Sequence, residues 1–151
     1  MSAALHSQIH ATSVALDAGA VLLRGPSGAG KSDLALRLID KGASLVADDR
    51  VDLRRDGDRL VARAPSPLHG LIEVRGIGIV RLPSVLDAPV ALVVDLVPRA
   101  EVERLPVFDH VELLGVPVPH LSLDPFDGSA PLKVMLALRE AADRRVASTA
   151  A

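Results

Sequence analysis

Residues 20–42 read AVLLRGPSGAGKSDLALRLIDKG, an apolar run, a glycine-rich loop and an amphipathic segment in succession. The apolar run predicts a buried strand that ends at Gly25. Apolar residues then recur at helical spacing from Leu34 to Ile39, and Gly42 stands where a C-terminal helix cap is expected. The segment therefore predicts a strand, a loop and a helix, the central unit of an α/β fold.

The loop itself fits the pattern G-x-x-x-x-G-K-[ST]. Its residues are Gly25, Pro26, Ser27, Gly28, Ala29, Gly30, Lys31 and Ser32. Glycines allow successive backbone N–H groups to turn onto phosphate oxygens, and the start of the helix adds its positive dipole end. Lys31 is expected to reach the β- and γ-phosphates, and the Ser32 hydroxyl suits Mg²⁺. The loop predicts nucleotide binding.

Two adjacent carboxylates, Asp48 and Asp49, follow the short apolar run of residues 44–47. The first helix should return the chain to a strand parallel to the first, which places both carboxylates near the phosphate loop. In phosphoryl transfer one acidic group positions Mg²⁺ and a second orients or deprotonates the nucleophile. Glu73 lies between apolar neighbours, and its carboxylate must either face solvent or find a cation such as Mg²⁺ or Arg75.

The rest of the chain predicts mainly β-structure around this unit. A β-rich stretch from Ile9 to Leu16 should form a hairpin with the first buried strand. Further expected features are a hairpin turn at 54–58, a bend within 71–80, a strand at 90–97 interrupted by Asp95, short strands at 111–114 and 116–123, and a last helix capped by Asp127 or Ser129 with Pro131 in its first turn.

Composition narrows the class of protein. The 151 residues are 49% hydrophobic and 24% charged, which favours one compact domain over residues 1–151. A net charge of −2 and only two aromatic residues, Phe108 and Phe126, argue against a nucleic-acid partner. The absence of cysteine, of a signal peptide and of a long apolar run predicts a cytoplasmic protein without a membrane partner.

Four segments together resemble a known family, the C-terminal catalytic domain of HPr kinase/phosphorylase. They are His10, the phosphate loop, LVADDRV at 45–51 and LIEVRGIGI at 71–79. The pattern E-x-R-G-x-G-I is particularly characteristic of that family. The resemblance implies an α/β fold with a P-loop and a mixed sheet, related to phosphoenolpyruvate carboxykinase cores.

The resemblance also implies an activity and a set of site residues. Family members transfer the γ-phosphate of ATP, with Mg²⁺, to a serine of HPr, the phosphocarrier of the sugar phosphotransferase system. Many also remove it by phosphorolysis. The matching positions are Lys31 and Ser32 in the phosphate loop, Asp49 as general base, Asp48 as a metal or substrate contact, His10 as the active-site histidine, Glu73 as a second Mg²⁺ ligand and Arg104 as a catalytic arginine.

Two departures from the family pattern carry expectations of their own. Usual members have an N-terminal domain, whereas here the catalytic part starts near Met1, as in a short form found in some Proteobacteria. The family's basic loop, tied to dephosphorylation, is replaced by DPFDGS at 124–129. The loss of cations predicts a kinase whose phosphorylase activity is weak or absent. The resemblance further implies a hexamer.

Two other classes of function stay open from the residues. One is a nucleotide-sensing regulatory module with vestigial catalysis, and the other is a small-metabolite kinase or a GTPase. The chain has no N-K-x-D tetrad, which argues against a GTPase. With so few aromatic residues, adenine recognition is expected to depend on aliphatic packing and backbone contacts, which predicts loose nucleotide selectivity.

Overall fold

The computed structural model describes residues 5–150, with side chains through Arg144. Its helices are α1 (Lys31–Asp40) and α2 (Ala130–Ala150). Its strands are β1 (His6–His10), β2 (Thr12–Leu16), β3 (Gly19–Arg24), β4 (Ser44–Ala47), β5 (Arg50–Asp56), β6 (Arg59–Arg63), β7 (Leu71–Val74), β8 (Gly78–Arg81), β9 (Ala88–Leu96), β10 (Asp109–Leu113) and β11 (Val116–Leu123). Within the described residues no helix combines the length and apolar character needed to cross a membrane.

The large sheet is mixed, as the sequence predicted. Its main path runs β1-β5-β6-β9-β3-β2-β4, and β10 joins it through β11. Strand β9 lies parallel to β3 and to β11, whereas its first residues pair antiparallel with β6. Strands β7 and β8 form a separate hairpin. The predicted bend within residues 71–80 is the turn of that hairpin.

The first strands differ from the single β-rich stretch that the sequence predicted. Strand β2 does form the expected hairpin with β3, but β1 pairs with β5 in another part of the sheet. The chain changes partners at Ala11, which is fully buried and donates its N–H to the carbonyl of Asp49 at 3.2 Å. Ala11 lies within a continuous β-rich stretch, so nothing in the sequence indicated this change of partners.

The core explains why β3 is apolar at consecutive positions. Alternate side chains of a strand point to opposite faces of its sheet. Val21 and Leu23 pack in the cluster that contains the buried face of α1, whereas Ala20 and Leu22 pack in the cluster on the other side. Strand β3 is therefore buried on both faces, and its end is fixed beside the start of α1.

Candidate active site

The phosphate loop joins β3 to α1 through backbone that only glycine adopts without strain. Gly28 has φ of 84° and Gly30 has φ of 98°, both in the left-handed region. Gly30 precedes the first residue of α1, and its carbonyl accepts the N–H of Leu34 at 3.0 Å. The free N–H groups of the first helical turn therefore face the loop, which is the arrangement that binds phosphate oxygens.

Lys31 is the buried cation of the loop. Its side chain is 6% exposed, and Nζ donates to the carbonyls of Gly25 at 2.7 Å and Pro26 at 3.1 Å. The ammonium group is thus held over the loop by backbone oxygens alone. Neutral carbonyls leave its positive charge uncompensated, so the loop keeps a net attraction for an anion.

Asp48 links three elements through its carboxylate. Oδ1 accepts the Ser32 hydroxyl at 2.6 Å and the Thr12 hydroxyl at 3.1 Å. Oδ2 accepts the backbone N–H of Glu73 at 3.1 Å. Strand β4 runs in the same direction as β3 with β2 between them, so its carboxyl end lies at the same edge of the sheet as the loop. That topology brings Asp48 to the first turn of α1.

Asp49 stands in a left-handed conformation, with φ of 67°, a region in which aspartate is tolerated better than most residues. Its N–H donates to the Thr12 hydroxyl at 3.2 Å, and its carbonyl accepts the N–H of Ala11. Oδ1 lies 2.7 Å from Nε2 of His10. The side chain is 64% exposed. Among the described residues Oδ2 has no hydrogen-bond partner, so one carboxylate oxygen is available to a substrate.

The β7–β8 hairpin forms the facing wall of a cleft of about 830 Å³. It contributes Glu73 and Arg75, and its turn uses positive φ at Gly76 and Gly78. The cleft is lined on its other sides by residues of the phosphate loop, by the first turns of α1, by Asp49 and by Phe126.

The structure brings most of the predicted site residues to this cleft. Residues of the phosphate loop, Asp49 and Glu73 line it. Asp48 accepts a hydrogen bond from the lining residue Ser32, and His10 is hydrogen-bonded to the lining residue Asp49. Arg104 is different: it is exposed in the connection between β9 and β10 and does not belong to the lining.

Three residues at the site were missed from the sequence. Thr12 is a buried strand residue of ordinary β-propensity, so nothing marked it as a partner of both aspartates. Arg37 donates to the carbonyls of Pro125 and Asp127, and Phe126 lies in the cleft. The sequence did signal Phe126 weakly, as one of two aromatic residues in the chain.

A second charged network lies at the end of β3, directly before the phosphate loop. Arg24 donates to both carboxylate oxygens of Asp95 at 2.8 and 3.0 Å, and His120 bridges Asp95 and Asp109 at 2.7 Å on each side. Burial raises the pKa of Asp95, but the hydrogen bonds and charges of Arg24 and His120 outweigh it and lower that pKa below its ordinary value. The sequence signal was the interruption of an apolar strand by Asp95.

The oxygen ligands at the cleft suit a hard divalent cation. The Ser32 hydroxyl and the Asp48 carboxylate are in contact, and Glu73 lies beside Asp48 through its backbone. The described residues contain no cluster of three or more His, Cys, Asp or Glu side chains that could hold a metal ion by themselves. Mg²⁺ usually takes one or two carboxylates and completes its shell with water and phosphate oxygens, so this smaller set fits it.

Comparison with known proteins identifies the family. Residues 2–138 match the family model described as the HPr serine kinase C-terminal domain. The chain belongs to this family. The HPr kinase family includes curated relatives named HPr kinase/phosphorylase: one from Lactobacillus acidophilus is 36% identical over 80% of this chain, and one from Cupriavidus necator is 42% identical over 65%.

The fold agrees with a solved member of the HPr kinase family. The structure of the HPr(Ser) kinase/phosphatase from Coxiella burnetii superposes with a TM-score of 0.85 and 29% identity, covering 95% of each chain. The predicted α/β fold class is therefore confirmed. The chain spans 41% of the Lactobacillus relative and 34% of the Cupriavidus relative, so it corresponds to less than half of those proteins.

Proposed function

We propose that this chain transfers the γ-phosphoryl group of ATP to a serine hydroxyl of the phosphocarrier HPr in the cytoplasm. The observation that carries the proposal is the pair His10 and Asp49, held at 2.7 Å beside a phosphate-binding type of loop with one carboxylate oxygen free. The names of the relatives support HPr as the acceptor, since each refers to it.

In this proposal Asp49 is the general base. Its free Oδ2 accepts the proton of the serine hydroxyl as the serine oxygen bonds to the γ-phosphorus and the bond to the β-phosphate oxygen breaks, releasing ADP. His10 holds Oδ1 and thereby fixes the direction of the carboxylate. The left-handed backbone at Asp49 turns the side chain out of the strand path and toward the cleft.

Lys31 and the loop amides neutralise the transferring group. The Nζ atom needs only to exchange its bonds with the Gly25 and Pro26 carbonyls for phosphate oxygens, so the cation is already positioned. When bound, Mg²⁺ supplies charge neutralisation on the phosphate oxygens. Ser32, Asp48 and Glu73 are the residues that would hold it.

We further propose that phosphorolysis is weak or absent. The cations among the cleft-lining residues are Lys31 and Arg75. The 124–129 segment adds none: Asp124 accepts the N–H of Phe126 at 2.9 Å, and Asp127 pairs with Lys133 at 3.3 Å. Inorganic phosphate therefore gains no positive charge from this segment. Rapid phosphate-dependent dephosphorylation of phospho-HPr would contradict the proposal.

The test uses γ-labelled ATP, Mg²⁺ and HPr, with a serine-to-alanine HPr as acceptor control. The variant of choice is Asp49→Asn, because alanine at a φ of 67° would add backbone strain of its own. We expect the rate to fall by about 10²- to 10⁴-fold while ATP binding persists. Asp58→Asn, at an exposed turn far along the sheet, is the matched control and should keep full activity.

Two results would overturn the proposal in different ways. Labelling that survives Asp49→Asn would remove Asp49 from the role of base. Intact ATP binding without transfer to HPr would favour the nucleotide-sensing module, or a kinase with a small-molecule acceptor.

A further inference from the structure

Phe126 presents an aromatic ring to the cleft at a position where nothing in the described chain covers it. Its side chain is 69% exposed, although it lines the same cleft as the phosphate loop. The ring edge rests on Gly30: a Cβ built there would lie 3.2 Å from Cζ and 3.3 Å from Cε1. Gly30 therefore leaves space for the Phe126 ring and also adopts the left-handed backbone of the phosphate loop.

The backbone around Phe126 is fixed from two directions. Asp124 accepts its N–H at 2.9 Å, and Arg37 donates to the carbonyl of Pro125 on one side and of Asp127 on the other. Arg37 is itself paired with Asp33 one turn earlier at 3.1 Å. A clamp of this kind reduces the conformational freedom of the loop, so the exposed ring is held ready for a ligand.

The direction of a bound nucleotide follows from the two sides of α1. Ser32 faces Asp48, and Asp49 lies next along the chain, so the γ-phosphate must point to that side for transfer. Arg37 instead donates to the carbonyls of Pro125 and Asp127, so the 124–129 segment lies on a face of α1 about 140° around the helix from Ser32. Phe126 of that segment lines the cleft, and so does Leu36, which lies on α1 between the Ser32 and Arg37 faces. A nucleoside that leaves the loop away from Asp49 would therefore meet these two apolar side chains.

We propose that Phe126 is the stacking platform for the purine base of the nucleotide. This inference rests on the proposed function, because it takes the phosphate loop as the site of a nucleoside triphosphate. Stacking uses the π-face and reads no base edge, so the platform accepts adenine and guanine alike. Stacking on Phe126 would thus give base recognition to an aromatic ring, whereas the small number of aromatic residues had predicted aliphatic packing and backbone contacts.

The first experiment compares ATP with inorganic tripolyphosphate by calorimetry in the presence of Mg²⁺. Tripolyphosphate carries the phosphates without a base, so it isolates the contribution of the loop. For Phe126→Ala we expect the Kd of ATP to rise about tenfold, from the usual contribution of base stacking, and the Kd of tripolyphosphate to stay unchanged. Leu105→Ala, which removes an exposed apolar side chain outside the cleft, should change neither.

Two further variants separate stacking from simple apolar contact. Phe126→Leu keeps an apolar side chain without a π-face and should lose most of the ATP affinity, whereas Phe126→Trp should retain it. The chain has no tryptophan or tyrosine, so Phe126→Trp also creates a single fluorophore. ATP and GTP should quench it and tripolyphosphate should not; Leu105→Trp should respond to none of them.

The outcomes distinguish this inference from the proposed function. Unchanged ATP affinity in Phe126→Ala, full affinity in Phe126→Leu, or equal weakening of ATP and tripolyphosphate would overturn the platform while leaving the kinase intact. If the Phe126 variants behave as expected and the wild-type chain binds ATP but does not phosphorylate HPr, the stacking platform would be supported and the proposed kinase activity would be overturned. Failure of the wild-type chain to bind either ligand would overturn both.

Discussion

Replacing Thr12 by valine should disconnect the two aspartates of the site. The Thr12 hydroxyl donates to Oδ1 of Asp48 at 3.1 Å and accepts the N–H of Asp49 at 3.2 Å. Valine has nearly the same shape and the position is fully buried, so the substitution removes the hydroxyl without opening a cavity. Any effect therefore reports on these two hydrogen bonds.

The magnitude follows from the groups left behind. A buried donor or acceptor without a partner costs about 1–3 kcal/mol, and a bond to a charged carboxylate lies in the upper part of the range for hydrogen bonds. The extra buried methyl group returns about 0.8 kcal/mol. We expect the free energy of unfolding to fall by about 1–3 kcal/mol. Because Asp48 and Asp49 lose their common anchor, we also expect kcat to fall by about tenfold.

The neighbouring residue supplies a matched control. Ser13 is equally buried, but its hydroxyl donates to the carbonyl of Val21 at 2.9 Å and touches no site residue. Ser13→Ala should cost about 1 kcal/mol and leave kcat unchanged. Thr12→Ser, which keeps the hydroxyl, should restore most of the activity that Thr12→Val loses.

Urea unfolding and steady-state phosphoryl transfer to HPr measure the two quantities separately. If Thr12→Val lost stability like Ser13→Ala but kept the wild-type kcat, the hydroxyl would be structural only. If it lost neither, the hydrogen bonds to the aspartates would be irrelevant to the fold and to the site.

Three further predictions follow from other contacts. Gly30→Ala should lower the free energy of unfolding by about 1–2 kcal/mol in urea, because alanine is strained at φ of 98° and its Cβ meets the Phe126 ring; wild-type stability would contradict this. His10→Gln should lower kcat less than Asp49→Asn does, since His10 bonds only Oδ1; an equal loss would give His10 a share in proton transfer. Because the lowered pKa of Asp95 means that its ionised form stabilises the fold at neutral pH, Asp95→Asn should be destabilising at pH 7. The difference in the free energy of unfolding between wild type and variant should shrink as the pH falls through the folded pKa of Asp95; a difference that is the same at every acidic pH at which the protein still folds would refute the assignment.

The parts of the fold that the sequence predicted correctly depend on local patterns. The strand, loop and helix over residues 19–40 are contiguous, and each carries its own periodicity or glycine signal. Asp48 could be placed near the loop because a crossover between parallel strands returns the chain to the same edge of the sheet. These predictions needed no knowledge of distant partners.

The missed features depend on contacts between residues far apart in the sequence. Thr12 and Asp48 are 36 positions apart, and Arg37 and Pro125 are 88 positions apart. Neither pair has a residue type or spacing that predicts its partner, because the register of a sheet and the docking of a loop are set by the whole core. The Asp95 network was visible only as an unexplained charge in a buried strand.

The geometry of the His10–Asp49 pair is a consequence of two changes of strand partner. The chain leaves β1 for β2 at Ala11 and leaves β4 for β5 at Asp49, and a backbone hydrogen bond joins these two residues at 3.2 Å. His10 pairs with Arg50 in the β1–β5 register, which places its ring beside the adjacent Asp49. The same pairing that closes this part of the sheet therefore sets the distance between the two side chains, and a slip of one residue would turn His10 to the opposite face and break the pair.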